Sequence, residues 1–364
     1  MKKKILFLLQ LPPPVHGASM VNLNVRDSEY INSRIEANYV DISPAHKMTD
    51  LGLFSFGKLF LTLTIIIRCI FEYLKFRPVS VYITLSPHGF GFWKDALILH
   101  ALKALGAKFI IHLHGKGIHS AASGSRIKRI IYRSVFKGVN VIHLSKSLFS
   151  DLNLVFDKKM SLLELNNGVE NNNTKNFSRS SEKMIFLYLS NFVPTKGADT
   201  LVRALNLLDD SYEGRFRVKL VGKISNKIFY DELVAGVDER FKDHVSFLGP
   251  LYGEEKCTVF RASHVFVLPS KNECFPLAIL EAMSFGMPVL STFEGAIPTI
   301  INNDVHGAIF NANDVGALAR NLKNYIDNPD LVKSHGSNGQ LKYIEKYTLD
   351  VFERSFLTVL NKLT

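Results

Sequence analysis

Cysteine is scarce in this chain of 364 residues: there are three, Cys69, Cys257 and Cys274, with no CxxC and no paired spacing. Such a set builds neither a disulfide framework nor a thiolate metal site, and it fits a reducing, cytoplasmic compartment. Long apolar runs are missing as well. A membrane-spanning helix needs ~20 consecutive apolar residues, and the best stretch, 59–67, is bounded by Lys58 and Arg68. No Asp-x-Asp is present to carry a divalent ion, and no internal repeat of solenoid length is visible. Acidic residues are absent from 96 to 150, where nine residues are Lys or Arg.

What is present describes a globular chain long enough for two domains: 47% of residues are hydrophobic and 21% charged. The net charge of +11 is lopsided. Residues 1–175 hold 23 Lys or Arg against 11 Asp or Glu, a net +12, and residues 176–364 hold 21 against 22, a net −1. A one-sided field attracts an anionic surface or ligand, unless it serves only solubility. No groove-reading motif or stacking-aromatic module accompanies it, so nucleic acid is not expected as a partner. The start, Met1-Lys2-Lys3-Lys4 followed by five apolar residues, imitates a signal peptide. The run is short and ends at Gln10, Leu11 and the prolines Pro12, Pro13 and Pro14, which reads as a buried first strand closed by a turn at Gly17.

Short apolar runs alternate with helix-length segments, the pattern of parallel sheets covered on both faces. Strands are expected at Lys4–Leu9, 79–85, 109–114 and 139–144, then at Met184–Leu189, 217–221, Val245–Leu248, Val265–Leu268 and 289–291. Helices are expected at 94–105 and Arg126–Phe136. The Asn/Ser-rich stretch 171–182 lacks periodicity and reads as a linker between a domain at 1–170 and one at 183–345. A last helix, Leu349–Leu363, within 346–364, is expected to return towards the first domain. Two doubly wound domains joined in this way face each other across a cleft, and ligands of open α/β sheets bind at the carboxyl ends of the strands.

The most informative stretch runs from Leu268 to Met283. A strand enters a loop carrying Glu273, and a helix starts around Pro276, a residue suited to a first helical turn. Amides near Phe275, Leu277 and Ala278, with the helix dipole, offer an anion site. Glu281 follows on the same helix. A carboxylate beside a phosphate is repelled, so Glu281 fits a neighbouring hydroxyl pair such as a ribose diol. Alternatively both glutamates are solvated charges at a helix start, where acids are favoured anyway. Lys196, after a strand-exit loop and beside Gly197, suits a diphosphate or is simply a surface lysine.

Glu273, Phe275 and Glu281, followed by Gly286-Met287-Pro288-Val289, resemble the glutamate-x7-glutamate motif of retaining glycosyltransferases, specifically family 4 with the GT-B fold. Ser190-Asn191-Phe192-Val193-Pro194-Thr195-Lys196-Gly197 is similar to the segment in which that family holds the donor diphosphate with an arginine and a lysine. Lys196 falls on the lysine position, whereas Asn191 stands where the arginine is usual, so one phosphate contact is weaker or comes from elsewhere. Val221-Gly222, Phe247-Leu248-Gly249 and Asn166-Asn167-Gly168-Val169 fit the family order, and Thr299 replaces an acid often found after the loop at Gly295. The resemblance implies Glu273 on the hydroxyls of the donor sugar, Glu281 on the ribose, Lys196 on the diphosphate, and Gly222, Phe275, Pro276 and Leu277 lining the donor. It also implies front-face substitution with no carboxylate assigned as nucleophile, and the missing Asp-x-Asp points to transfer without a metal or cofactor.

The first half resembles the family more loosely. Its first loop, ending His16-Gly17, keeps one of two usual glycines, and Gly17 lets backbone approach a ligand. His114 falls on the histidine that the family places near the donor sugar. His112 shares its face of the strand and reads as structural, and the pair lacks a third ligand for zinc. Arg126, Arg129, Arg133 and Lys137 line one helical face, and Ile127, Ile130, Ile131 and Val135 another. Phe54, Phe56, Phe60, Phe71 and Phe76 alternate with Lys58, Arg68, Lys75 and Arg77, which suits either anionic lipid headgroups or a core with solvated cations.

The resulting expectation is a cytoplasmic, retaining transferase, peripheral on the inner membrane face. It would move a sugar from an NDP-sugar, UDP favoured, to a glycan or lipid-diphosphate-linked acceptor in cell-surface polysaccharide assembly. Its rivals are a nucleotide-sugar epimerase or hydrolase on the same fold, and a non-catalytic binder.

Overall fold

The computed structural model describes residues 2–43, 56–172 and 182–364, with side chains from residue 60 onward in the second segment. Most of the expected linker (173–181), Phe54, and the side chains of Phe56 and Lys58 lie outside the described residues. The chain divides into two compact units, Met1–Asn167 with Asp350–Thr364, and Gly168–Leu349.

The first unit is built on six parallel strands: β1 (Lys4–Leu9), β2 (Glu36–Asp41), β3 (Ser80–Thr84), β4 (Phe109–Leu113), β5 (Asn140–His143) and β6 (Leu162–Glu164), in the order β2-β1-β3-β4-β5-β6. Helices cover both faces, so the central strands are unbroken apolar runs. Ile5 to Leu9 and Val81 to Ile83 are essentially inaccessible. The expected strands all form, β1 with the expected bounds and the other three one residue shorter at one or both ends. β2 and β6 were not anticipated. Both are edge strands with one side open, so β2 (Glu-Ala-Asn-Tyr-Val-Asp) mixes polar and apolar residues, and β6 is only three residues long.

The helix expected at 94–105 begins earlier, at Gly89, and runs to Ala104. This places Lys94 and Asp95 wholly inside, where their side chains pair at 2.8 Å. The Lys94 Nζ donates to the Ile42 carbonyl, and the second Asp95 oxygen accepts from the Ser86 amide at 2.8 Å. A buried pair persists when its remaining donors and acceptors are also met. The helix Leu349–Leu363 belongs to this unit. Phe356 packs 6.4 Å from Phe7 and 5.4 Å from Tyr82, and Asn140 Nδ2 donates to the Leu363 carbonyl at 3.1 Å.

The second unit repeats the plan with β7 (Met184–Leu189), β8 (Phe216–Val221), β9 (Val245–Leu248), β10 (Val265–Leu268), β11 (Val289–Thr292) and β12 (Gly307–Phe310), all parallel, in the order β12-β11-β10-β7-β8-β9. Only the short edge strand β12 was unforeseen.

One correction concerns the helix Arg126–Phe136. Tyr132, Val135 and Phe136 form its buried stripe, with Ile131 at the margin, while Ile127 and Ile130 are 71% and 67% exposed. At 100° per residue Ile130 stands ~140° around the axis from Val135, so the three isoleucines and Val135 could not all share one face. On the helix Phe56–Phe76, Phe60, Leu63, Ile67, Phe71 and Leu74 are exposed and recur at steps of three and four. They form one apolar stripe, whereas Phe76 turns inward to the core and lies under the Lys4 ammonium.

Candidate functional site

In the second unit the chain runs outward from β7 through β8 to β9, then crosses to β10 on the other side of β7. The loops leaving β7 and β10 therefore straddle the switch point where open α/β sheets take ligands. Their residues lock together. Gly197 has φ +76°, and a Cβ there would sit 1.9 Å from the Pro269 carbonyl oxygen. The Lys271 amide and the Ser270 hydroxyl both donate to the Thr195 carbonyl, at 2.9 and 3.0 Å. Gly222, at the end of β8, meets the same loop: a Cβ would fall 1.9 Å from the Ser190 carbonyl oxygen. Only glycine allows either approach.

This docking brings Lys196 and Glu273 together across 77 positions of sequence. Their Nζ and Oε1 lie 2.6 Å apart, with the lysine 28% and the glutamate 9% exposed. Asn191 is half-buried in the same loop. Tyr188, at the end of β7, is fully buried, and burial foremost, then Glu273 and Asp199, push its phenol up, so it stays neutral. Pro276 is the residue just before the helix Leu277–Ser284 rather than within its first turn. The first amides of that helix have no partner within it. Phe275 is buried against Tyr347, ring to ring at 6.1 Å.

Glu281 is not part of the Lys196 pair. Its carboxylate binds Lys256 Nζ at 2.8 Å, from the helix Gly253–Arg261. A second ion pair flanks the first: Lys271 Nζ lies 2.8 Å from Asp199 Oδ2, in the first turn of the helix Ala198–Leu205. Sequence reasoning missed Lys256, Lys271 and Asp199. Lys271 stood two places before Glu273 in plain view, whereas nothing local linked Lys256 to a glutamate 25 positions away.

In the first unit the switch point lies between β1 and β3, bridged by Gln10 Nε2 donating to Ser86 Oγ at 2.8 Å. The loop after β1 leads to the helix Gly17–Asp27, with Gly17 as its first residue. His16 caps that helix, accepting from the Ser19 amide at 3.3 Å while its own amide donates to Ser19 Oγ at 3.0 Å.

Histidines gather at the ends of β4 and β5. His112 takes a hydrogen bond with the Tyr82 hydroxyl at Nδ1, as a structural histidine would. His114 lies tilted against it, ring centroids 4.0 Å apart, with both ring nitrogens shut from solvent and without a protein partner. Burial, then the neighbouring His143 and His16, bring His114 down to about 3. Burial likewise lowers His143 to about 4 and His112 well below its ordinary value. These rings stay neutral near pH 7. Among the described residues no group of three or more His, Cys, Asp or Glu is arranged to hold a metal ion, and no helix is long and apolar enough to cross a membrane.

The chain resembles solved structures over its whole length. A glycosyltransferase from Rickettsia africae superposes with a TM-score of 0.78 at 20% identity, covering 100% of this chain and 98% of that one. Sucrose-phosphate synthase from Thermosynechococcus elongatus gives 0.76 at 16% identity, covering 100% and 99%. Anabaena HepE, solved with UDP and glucose, gives 0.74 at 18% identity, covering 99% and 100%. These likenesses establish the fold as GT-B. In sequence, D-inositol 3-phosphate glycosyltransferase of Streptomyces coelicolor is 34% identical over 161 residues, 43% of this chain and 35% of that protein. An uncharacterized glycosyltransferase of Methanocaldococcus jannaschii is 28% identical over 154 residues, 42% and 41% of the two chains. The matched segment thus spans about a third to two fifths of the length of these curated relatives. Residues 169–342, which carry Lys196, Glu273 and Glu281, match the family of glycosyl transferases group 1.

Proposed function

We propose that this chain is a retaining glycosyltransferase that moves a sugar from a nucleoside-diphosphate sugar to a glycan or lipid-diphosphate-linked glycan in bacterial cell-surface polysaccharide assembly. The observation that carries the reading is the 2.6 Å contact of Lys196 with Glu273 at the switch point of the second unit. A cation and a carboxylate meet there, the carboxylate in the loop that leads into the helix Leu277–Ser284, whose first amides suit a diphosphate. Charge grows on the departing diphosphate in the transition state, and Lys196 with the amides of the helix Leu277–Ser284 meets it. Glu273 orients the sugar hydroxyls, and Glu281, steadied by Lys256, accepts from the ribose diol. UDP is the favoured nucleotide, since Anabaena HepE has been solved with UDP-glucose. The reading needs no cofactor.

Incubation with UDP-, GDP- and ADP-sugars, with and without lipid-linked acceptors, tests it. Acceptor-dependent release of NDP and a product of unchanged anomeric configuration are expected. Sugar conversion without acceptor would make the protein an epimerase, and absence of NDP release under every condition would make it a binder.

A second element of the proposal places the first unit on an anionic membrane surface at the cytoplasmic face. The exposed stripe of Phe60, Leu63, Ile67, Phe71 and Leu74, with exposed Ile127 and Ile130 among arginines and lysines, supports it. Apolar side chains flanked by cations suit the boundary of acidic headgroups and acyl chains. Vesicle co-sedimentation that does not depend on lipid charge would refute this part.

A further inference from the structure

We infer that Lys271 is the second cation for the donor diphosphate, supplying the charge that Asn191 does not; this rests on the transferase reading above. A diphosphate carries more charge than one ammonium balances, and Asn191 contributes none. Lys271 stands on the other of the two loops that straddle the switch point, held beside the Lys196 turn by the Lys271 amide and Ser270 hydroxyl bonds to Thr195. The gap between Gly197 and Pro269 is too small for a methyl group, so the spacing of the two lysines is fixed by backbone. Both side chains are only partly exposed, and each now lies against one carboxylate, Lys196 on Glu273 and Lys271 on Asp199.

Asp199 can release Lys271. It has a second partner in Arg203, whose guanidinium lies 3.3 Å from the same oxygen, and its place in the first turn of the helix Ala198–Leu205 is favourable to a negative charge. The four-carbon stem of a lysine then lets the ammonium turn to a phosphate without moving the loop. The loop after β10 thereby does for this chain what an arginine at 191 would do from the loop after β7.

Isothermal titration of the full chain with UDP, GDP and ADP, and with the matching monophosphate, tests the assignment. With the diphosphate that the wild type binds, Lys271→Met is expected to weaken binding by about tenfold or more, and the monophosphate by much less. Asn191→Arg in the Lys271→Met background should restore most of the loss, and Asp199→Asn should bind as well as wild type or better. A Lys271→Met affinity within twofold of wild type overturns the inference, as does a loss that Asp199→Asn shares or that Asn191→Arg fails to restore. Thermal melts check that each variant is folded, and Lys271→Gln replaces the methionine variant if that one is not. If the wild type binds none of the three diphosphates, the donor reading itself fails. If Lys196→Met weakens binding and Lys271→Met does not, only the role of Lys271 falls.

Discussion

Replacing Glu273 by glutamine should have opposite effects on binding and on turnover. In the ligand-free chain the carboxylate holds Lys196 at 2.6 Å, with the pair largely withdrawn from water. Two unit charges ~4 Å apart attract by ~4 kcal/mol at an effective dielectric of about 20. Desolvation and side-chain ordering oppose this, and a hydrogen bond to a charged group is worth ~1.5–3 kcal/mol net. An incoming diphosphate must share or take over that ammonium, and it also meets the negative charge of Glu273. Glu273→Gln keeps the shape and removes both penalties. Free NDP should therefore bind about tenfold more tightly, equivalent to ~1.4 kcal/mol. The sugar, in contrast, loses its carboxylate acceptor, and single-turnover transfer should slow by ~10²–10³, the range seen when one preorganised group at a reacting centre is removed. Calorimetry with NDP alone and rapid-quench transfer with NDP-sugar separate the two effects. NDP binding weakened tenfold, or transfer within twofold of wild type, would show that Glu273 serves the nucleotide or is a bystander.

Other residues yield independent tests. Lys256→Met strips Glu281 of its counter-charge, and the donor KM should rise by about tenfold with kcat far less changed, the pattern of lost ground-state binding. Stability should fall with acid before ordinary carboxylates titrate. His112, His114 and His143 stay neutral when folded but take up protons near pH 6.5 when unfolded, so the stability present above that pH is lost as pH drops towards about 4. Three such groups amount to ~4 kcal/mol one unit below 6.5; urea melts at pH 7.5 and 5.5 that coincide would contradict this. The double change Ile67→Ser with Phe71→Ser should leave the melting temperature intact, both side chains being exposed. It should nevertheless weaken binding to anionic vesicles by ~tenfold or more, since each large apolar side chain buried is worth ~1.5–3 kcal/mol.

The sequence disclosed those parts of the molecule in which local pattern and tertiary outcome coincide. Ile5 to Leu9 read as a strand because a central parallel strand is covered on both faces and tolerates no polar interruption. Glu273, Pro276 and Glu281 could be placed because a strand end, a loop and a helix start follow one another within a dozen residues. Edge strand β2 escaped because much of its surface is open and its composition mixes polar and apolar residues, and β12 because it is only four residues long. Lys94 was taken as the start of a helix and proved to be inside it, its charge neutralised by its own neighbour and a carbonyl 52 positions away. Periodicity likewise grouped the isoleucines of the helix Arg126–Phe136 without revealing which side the sheet would cover. The pairs Lys196–Glu273 and Lys271–Asp199 depend on how two loops dock, and Lys256–Glu281 on how two helices pack, which no window of sequence contains.

The return of the last helix to the first unit has a consequence for synthesis. A ribosome completes the whole of Gly168–Leu349 before it releases Phe356, the ring that covers Phe7 and Tyr82. One unit is thus interrupted by the whole of the other, and β1 waits half-clad while the younger unit, contiguous in the chain, is free to mature. A stop codon at position 350 would spare the later-made unit and leave the earlier one with bare aromatic rings.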